Sequence, residues 1–381
     1  MPSKLTRSNR AGWLMALPGA GLIATFIIIP FFLAFAFSLT NQRLASPNPT
    51  EYVGFENYSD ILGLAIFTLE PERDDAGRAV IEDGEIQYPR LRNFTRNNPD
   101  FPELQGKREW FGWQSGENRV VVLSSDVVFM KALVNTFTFV LFVAPIQAGL
   151  ALVLALLINQ QLRGISLFRA VYFMPVVVSI VVVSLLWKFI YSPGDGLLNS
   201  LLGWLTFGAF DSLDWLGRTD TALPSIMAMS IWQGVGFHMV IWLAGLQTIS
   251  PTLYEAAEIE GASKRQTFRY VTWPGLRNTA VLILIVITMQ AFALYAQIDV
   301  MTNGGPLDST QVLVFQAVER GYGKQDISGG STISVILFLI VLAISLLQRW
   351  LTRERTAAAP RRNSTKAADA EVTATAAKEV L

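Results

Sequence analysis

An all-α membrane protein of six transmembrane helices is what this sequence predicts, and three observations carry the prediction. Of the 381 residues, 51% are hydrophobic and only 16% charged, against roughly 25% charged in soluble domains. Six apolar runs, at residues 12–39, 130–158, 167–191, 222–248, 276–301 and 332–351, are each 20 residues or longer, enough for a helix to cross about 30 Å of hydrocarbon. Basic residues gather on alternate connections, which puts both termini on the cytoplasmic side.

Composition also removes functions. Thirty basic residues balance thirty acidic ones with no basic stripe, so nucleic acid is not an expected partner. There is no cysteine, which excludes disulfides, thiolate catalysis and cysteine-bearing metal sites. The single histidine, His238, cannot build a multi-histidine metal site. No Gly-x-x-x-x-Gly-Lys-Ser/Thr phosphate loop occurs, so no cofactor is expected in this chain and any ATP it depends on is bound elsewhere.

In chain order, residues 1–11 carry Lys4, Arg7 and Arg10 without an acid and read as a cytoplasmic N-terminus. The first run, 12–39, is too long for the 7–15-residue apolar core of a signal peptide, and Pro18 and Pro30 mark kinks. Residues 40–129 form a polar extracytoplasmic loop. Within it, 64–125, rich in Asp, Arg, Gly, Pro and Asn with Trp110 and Trp113, reads as an inserted lobe that touches a solute receptor or caps the outer mouth. Residues 130–351 hold the five remaining helices. The loop with Arg163 and Arg169, the stretch 250–278 with Lys264, Arg265, Arg269 and Arg277, and the tail from Arg349 share the side of the N-terminus. The loop 192–221 sets Arg218 against Asp195, Asp211, Asp214 and Asp220, as an outer loop should. Residues 352–381, mostly Ala, Thr, Lys and Arg, read as a disordered cytoplasmic tail.

Residues 250–278 are a polar island between two apolar runs. Ser250 suits an N-cap and Pro251 the first helical position, where a missing N–H is harmless. Gly261 ends this helix. Ser263-Lys264-Arg265-Gln266 has capping-box spacing and starts a second, which Pro274 closes. Ala256, Ala257, Gly261 and Ala262 leave little side-chain bulk, so the corner is suited to docking.

Glu255-Ala256-Ala257, Gly261, Val271, Trp273 and Pro274 together resemble the EAA loop of ABC importer permeases, whose pattern is Glu-Ala-Ala, three residues, Gly, nine residues, Ile, one residue, Leu-Pro. Val271 and Trp273 replace the isoleucine and leucine. Thr302-Asn303-Gly304-Gly305-Pro306 resembles the Thr-x-Gly-Gly-Pro turn of maltose-type carbohydrate permeases, and Val53-Gly54-Phe55-Glu56-Asn57-Tyr58 is similar to the segment after their first span. The resemblance implies an inner-membrane permease forming the path for a sugar, an oligosaccharide or glycoside. Its implied partners are a second permease subunit, an ABC ATPase dimer that binds the ATP and Mg, and an extracytoplasmic solute-binding protein. It also implies that Glu255, Ala256, Ala257, Gly261 and Pro274 engage the ATPase, with Glu255 pairing a basic side chain there; Glu255 serving the helix dipole is the structural alternative.

For cargo, the resemblance implies Ser230, Gln233, Gly234 and Phe237 on the fourth span. A polyol needs hydrogen-bonding groups beside an aromatic ring, and Gly234 permits close backbone approach. The fifth span departs from the family pattern: Ala291 and Leu294 stand where relatives place asparagines, and Gln290, Tyr295 and Gln297 are the nearest polar groups. Such side chains also join helices to one another. His238 is either a packed neutral imidazole or a proton relay. Lys188 snorkels, Asp299 faces a water-filled mouth, and Trp187, Trp232, Trp242, Trp273 and Trp350 form interfacial belts. Alternatives to a sugar permease are an importer of phosphorylated polyols or another small solute, an ion-coupled secondary transporter, or an intramembrane enzyme built on Ser184 and Lys188.

Overall fold

The computed structural model describes residues 4–159 and 164–352; Arg163 and the tail beyond 352, both used in the sequence reading, lie outside them. By packing, residues 1–343 form one unit and Ile344 onward a second, whose described part is the end of the last helix. Among the described residues, five helices are long and apolar enough to cross a membrane, or six if one sharply bent pair is a single crossing.

The first, α1, joins Lys4–Ile23 and Ile29–Ser38 through a π-helical turn at Ala24–Ile28. A short α2 (Glu56–Leu62) precedes the inserted lobe. There the expectation of an all-α chain is corrected. β1 (Leu64–Leu69), β4 (Arg108–Ser115) and β5 (Asn118–Ser124) form an antiparallel sheet in the order β1-β5-β4, beside a two-stranded hairpin of β2 (Ile81–Glu82) and β3 (Glu85–Ile86). The cause is period-two patterning: Leu69, Val121 and Leu123 turn to one face and are buried with Leu104, against which Phe67, Phe94 and Phe101 pack, as a half-buried strand requires.

α3 (Val127–Ile158) follows, about 48 Å long at 1.5 Å per residue. The third span, expected as one helix, is two: α4 (Ile165–Val177) and α5 (Ile180–Ile190) meet at 98°. Pro175 lies inside α4, and the backbone leaves helical geometry at Val178 and Ser179 (ψ 139° and 134°); a proline has no N–H to continue the ladder. Beyond them come α6 (Leu197–Leu205), α7 (Ala222–Gln247) and α8 (Pro251–Ile259).

The next helix corrects two expectations. Pro274 does not close a separate helix; α9 runs from Lys264–Thr267 through a π-turn at Phe268–Thr272 into Trp273–Phe292 without a break. The Trp273 amide reaches back five residues to the Phe268 carbonyl, and this widened turn relieves the clash between a proline ring and the carbonyl four residues earlier. The same device precedes Pro30 in α1, where the Ile29 amide bonds the Ala24 carbonyl. The fifth apolar run then stops at Phe292, short of Met301, and a separate α10 (Ala296–Met301) follows. α11 (Leu313–Val318) and α12 (Ile327–Thr352) complete the order. α3 packs along α7, with α9 against both and α4 across α7.

One arginine ties the starts of two crossings. Asp126 caps α3 by accepting the Phe129 amide (2.9 Å), and Asp326 accepts the Gly329 amide at the start of α12 (2.9 Å). Arg320 donates from Nη1 to Asp126 (2.8 Å) and from Nε to Asp326 (2.7 Å). The three side chains are 23%, 19% and 21% exposed, between the exposed pairs worth under about 1 kcal/mol and the buried ones whose breakage costs about 3–5. Arg320→Met is therefore expected to destabilise the purified protein by roughly 1–3 kcal/mol, read as a lower Tm in detergent. Adding Asp126→Asn and Asp326→Asn, which keep both caps, should restore part of it.

Candidate functional site

Side chains from α7, α9 and the segment beyond it converge on two adjoining cavities. The larger, about 490 Å³, is lined by Gln233, Phe237, His238, Gln290, Tyr295 and Gln297 among others. The smaller, about 80 Å³, shares Gln233, Gly234, Gln290 and Gln297 with it and adds Ser230 and Gln147. The structure thus brings together all six cargo residues expected from the sequence: Ser230, Gln233, Gly234, Phe237, Gln290 and Tyr295. Ala291 and Leu294, the departures on the fifth span, line the smaller cavity. Among the described residues no Asp, Glu, Lys or Arg lines either one.

Gly234, which lines both cavities, also makes room for a neighbouring helix. A side chain there would overlap Nε2 of Gln147, so the space it leaves is filled by a carboxamide from α3. Gln147 Nε2 also lies 3.0 Å from His238 Nδ1, and that nitrogen is 2.8 Å from the Gly234 carbonyl. A carbonyl only accepts, so the second contact needs Nδ1–H, whereas an amide nitrogen only donates. One ring nitrogen cannot satisfy both, and turning the Gln147 carboxamide over, so that its oxygen faces Nδ1–H, removes the conflict. His238, 1% exposed, is packed as expected, but among the described residues neither its buried Nε2 nor Ser230 Oγ has a hydrogen-bond partner. Gln147 was missed in the sequence reading. Its signal was there: after Thr138 it is the only residue of α3 with a hydrogen-bonding side chain.

Other expected groups are dispersed. Ser184 Oγ donates to the Ile180 carbonyl (2.8 Å) and Lys188 Nζ to the Val300 carbonyl (3.1 Å), so neither activates the other. Trp242, assigned to an interfacial belt, is 2% exposed and donates to the Ala148 carbonyl (3.0 Å). Among the described residues no group of His, Cys, Asp or Glu could hold a metal ion.

The polar island folds largely as its signals require. Gly261 has φ +71°, and the Ala262 and Gly261 amides bond the Ala257 and Glu258 carbonyls (2.9 and 3.0 Å), closing α8 in a Schellman motif. The Ser263–Gln266 capping box forms. Ser250 precedes α8 but makes no capping bond; its hydroxyl meets Thr252 Oγ1 (2.8 Å). Glu255 and Ala256 are exposed, Ala257 half-buried and Gly261 exposed. Glu255 lies outside the first turn of α8, which holds no acid, so the dipole role fails. Pro274 stands apart, about 15 Å along α9 from Lys264.

Residues 128–356 match the family of binding-protein-dependent transport system inner membrane components. The chain belongs to that family. It is 30% identical over 257 residues to a diacetylchitobiose uptake system permease protein of Streptomyces coelicolor, covering 64% of this chain and 73% of the relative. It is 29% identical over 234 residues to an sn-glycerol-3-phosphate transport system permease protein of Yersinia pestis, covering 61% and 78%. A chain from the crystal structure of a bacterial ABC transporter involved in the import of the acidic polysaccharide alginate shares the fold, with TM-score 0.63 at 19% identity over 93% of this chain and all of that one. As an ABC permease, this chain is a transport subunit and not itself an enzyme.

The contact between Gly234 and Gln147 is open to a double-variant test. Gly234→Ala pushes the carboxamide away and should lower stability by about 1–3 kcal/mol through overpacking. Gln147→Ala in the same chain should recover part of that loss in thermal unfolding. If the two effects simply add, the contact is not what holds Gly234.

Proposed function

We propose that this permease passes a neutral sugar, an oligosaccharide or glycoside, through the cleft between α3, α7 and α9. The observation that carries the reading is the chemistry of the lining: carboxamides, a serine hydroxyl, Phe237 and Tyr295, with no charged side chain. Hydroxyls both donate and accept, which suits carboxamides, and apolar ring faces suit aromatics. The larger cavity lies within the ~300–1,000 Å³ of small-molecule sites. A phosphorylated polyol, the cargo named for the Yersinia pestis relative, would place a dianion where no cation lines the cavity to meet it. The diacetylchitobiose of the Streptomyces coelicolor relative is a neutral sugar.

In this reading Ser230, Gln233, Gly234, Phe237, Gln290 and Tyr295 surround the cargo. α8, the Gly261 corner and the start of α9 form the cytoplasmic surface that engages an ATPase dimer, with Glu255, Ala256 and Ala257 on it. ATP and Mg belong to that partner. A second permease subunit completes the path, and an extracytoplasmic binding protein delivers the sugar on the side of the lobe. Both termini are then cytoplasmic, in a chain held in the inner membrane. Exposed Lys264, Arg265 and Arg269 at the corner support that orientation. α9 is continuous from the corner to Gln290, about 39 Å, so movement at one end is delivered at the other.

Two experiments test the reading. Gly261→Pro demands φ near −65° where the chain has +71°; the variant should insert yet lose uptake and ATPase co-purification, and wild-type behaviour in both would sink the coupling role. Alanine at Gln233 and Phe237 together should weaken sugar uptake at least tenfold or leave ATP hydrolysis running without uptake, and unchanged kinetics would move the cargo site elsewhere.

A further inference from the structure

The smaller cavity is a recess off the larger one, and its size and lining differ from those of its neighbour. At about 80 Å³ it falls well below the ~300 Å³ at which whole small molecules are usually bound. It holds a few heavy atoms. Its polar side has Ser230, whose buried hydroxyl has no partner in the protein, and Gln147, 4% exposed and pressed against Gly234. Its apolar side has Val143, Ile287 and Ala291. A buried hydroxyl left unpaired costs about 1–3 kcal/mol, so this recess is built for a group that both fills volume and forms hydrogen bonds.

We propose that the recess takes the short neutral arm of a sugar ring, a hydroxymethyl or an acetamido group, and that Gln147 and Ser230 recognise it. The inference rests on the sugar reading of the larger cavity and adds a contact from α3. The arm's carbon lies against Val143, Ile287 and Ala291, while its oxygen or amide pairs with Ser230 Oγ and the Gln147 carboxamide. A carboxylate arm is rejected, since no cation lines the recess to offset its dehydration. The recess therefore discriminates among sugars by substituent, while the larger cavity holds the rings.

Equilibrium binding to the detergent-solubilised importer complex, without binding protein, tests this with three β-1,4-linked probes. Diacetylchitobiose carries both arms, cellobiose only hydroxymethyl, and xylobiose neither. Xylobiose should bind about tenfold more weakly than diacetylchitobiose, the scale set by loss of one small contacting group. Cellobiose close to diacetylchitobiose assigns the recess to hydroxymethyl, and cellobiose close to xylobiose assigns it to acetamido. Ala291→Val, which fills the recess, and Gln147→Leu, which keeps its bulk but not its hydrogen bonds, should bring the armed sugars down to the level of xylobiose. Equal affinity for all three in the wild-type complex overturns the recess while leaving the sugar reading intact, and this comparison holds even if neither variant assembles. A preference that survives both variants also overturns it. Binding of none of the three, nor of maltose, would remove the sugar reading and this inference together.

Discussion

In hydrocarbon there is no water to receive an orphaned hydrogen-bonding group, and that constraint shapes this molecule at every level. Prolines in two spans are accommodated by π-turns that widen the helix ahead of them, at Ala24–Ile28 and Phe268–Thr272. The proline in α4 has no such turn, and the chain breaks at 98° soon after it. The starts of α3 and α12 are capped by aspartates whose remaining charge Arg320 holds. Each is a local answer to the same demand that polar groups find partners inside the protein.

In the cleft this demand is left partly unmet, as it is also at Ser309, Gln311 and Gln316 beyond the Gly304 turn. Among the described residues nothing partners the buried Ser230 Oγ and His238 Nε2, and His238 Nδ1 lies between the Gln147 carboxamide and the Gly234 carbonyl. Unsatisfied buried groups are destabilising, and these two lie beside a lining of carboxamides and aromatic rings. In the proposed reading, a cargo rich in hydroxyls supplies the missing donors and acceptors, then gives them up on leaving. A neutral lining fits that task, because a buried charge left without a counter-charge is costly and a neutral cargo brings none.

Continuity of α9 links this cleft to the polar corner. Gly261 turns the chain between α8 and α9 with a backbone angle that other residues rarely adopt, and the Ser263 capping box starts the helix immediately afterwards. From there to Gln290 the helix is a single rod, interrupted only by its π-turn. In the proposed mechanism a partner's closure on the corner is transmitted along this rod to a cargo-facing side chain. A separate second helix ending at Pro274 would have placed a joint between the two.

The sequence by itself determined the class of the protein and where four of its long apolar helices lie, those over 12–39, 130–158, 222–248 and 332–351, because an uninterrupted apolar run of that length is itself the signal for a membrane-length helix. It also determined the Gly261 corner and the Ser263 capping box, where bonding is confined to neighbours in the chain. Only the tertiary structure decided what depends on distant partners. Period-two burial made the lobe a sheet, because its strands pair across dozens of residues. A proline's presence does not state its outcome: Pro30 and Pro274 follow π-turns, α4 ends soon after Pro175, and α3 runs on through Pro145. That α3, some 90 residues earlier, packs Gln147 against Gly234 was visible only in the fold. Which polar side chains in a span face one another is a property of helix packing, and spacing along a single helix does not contain it.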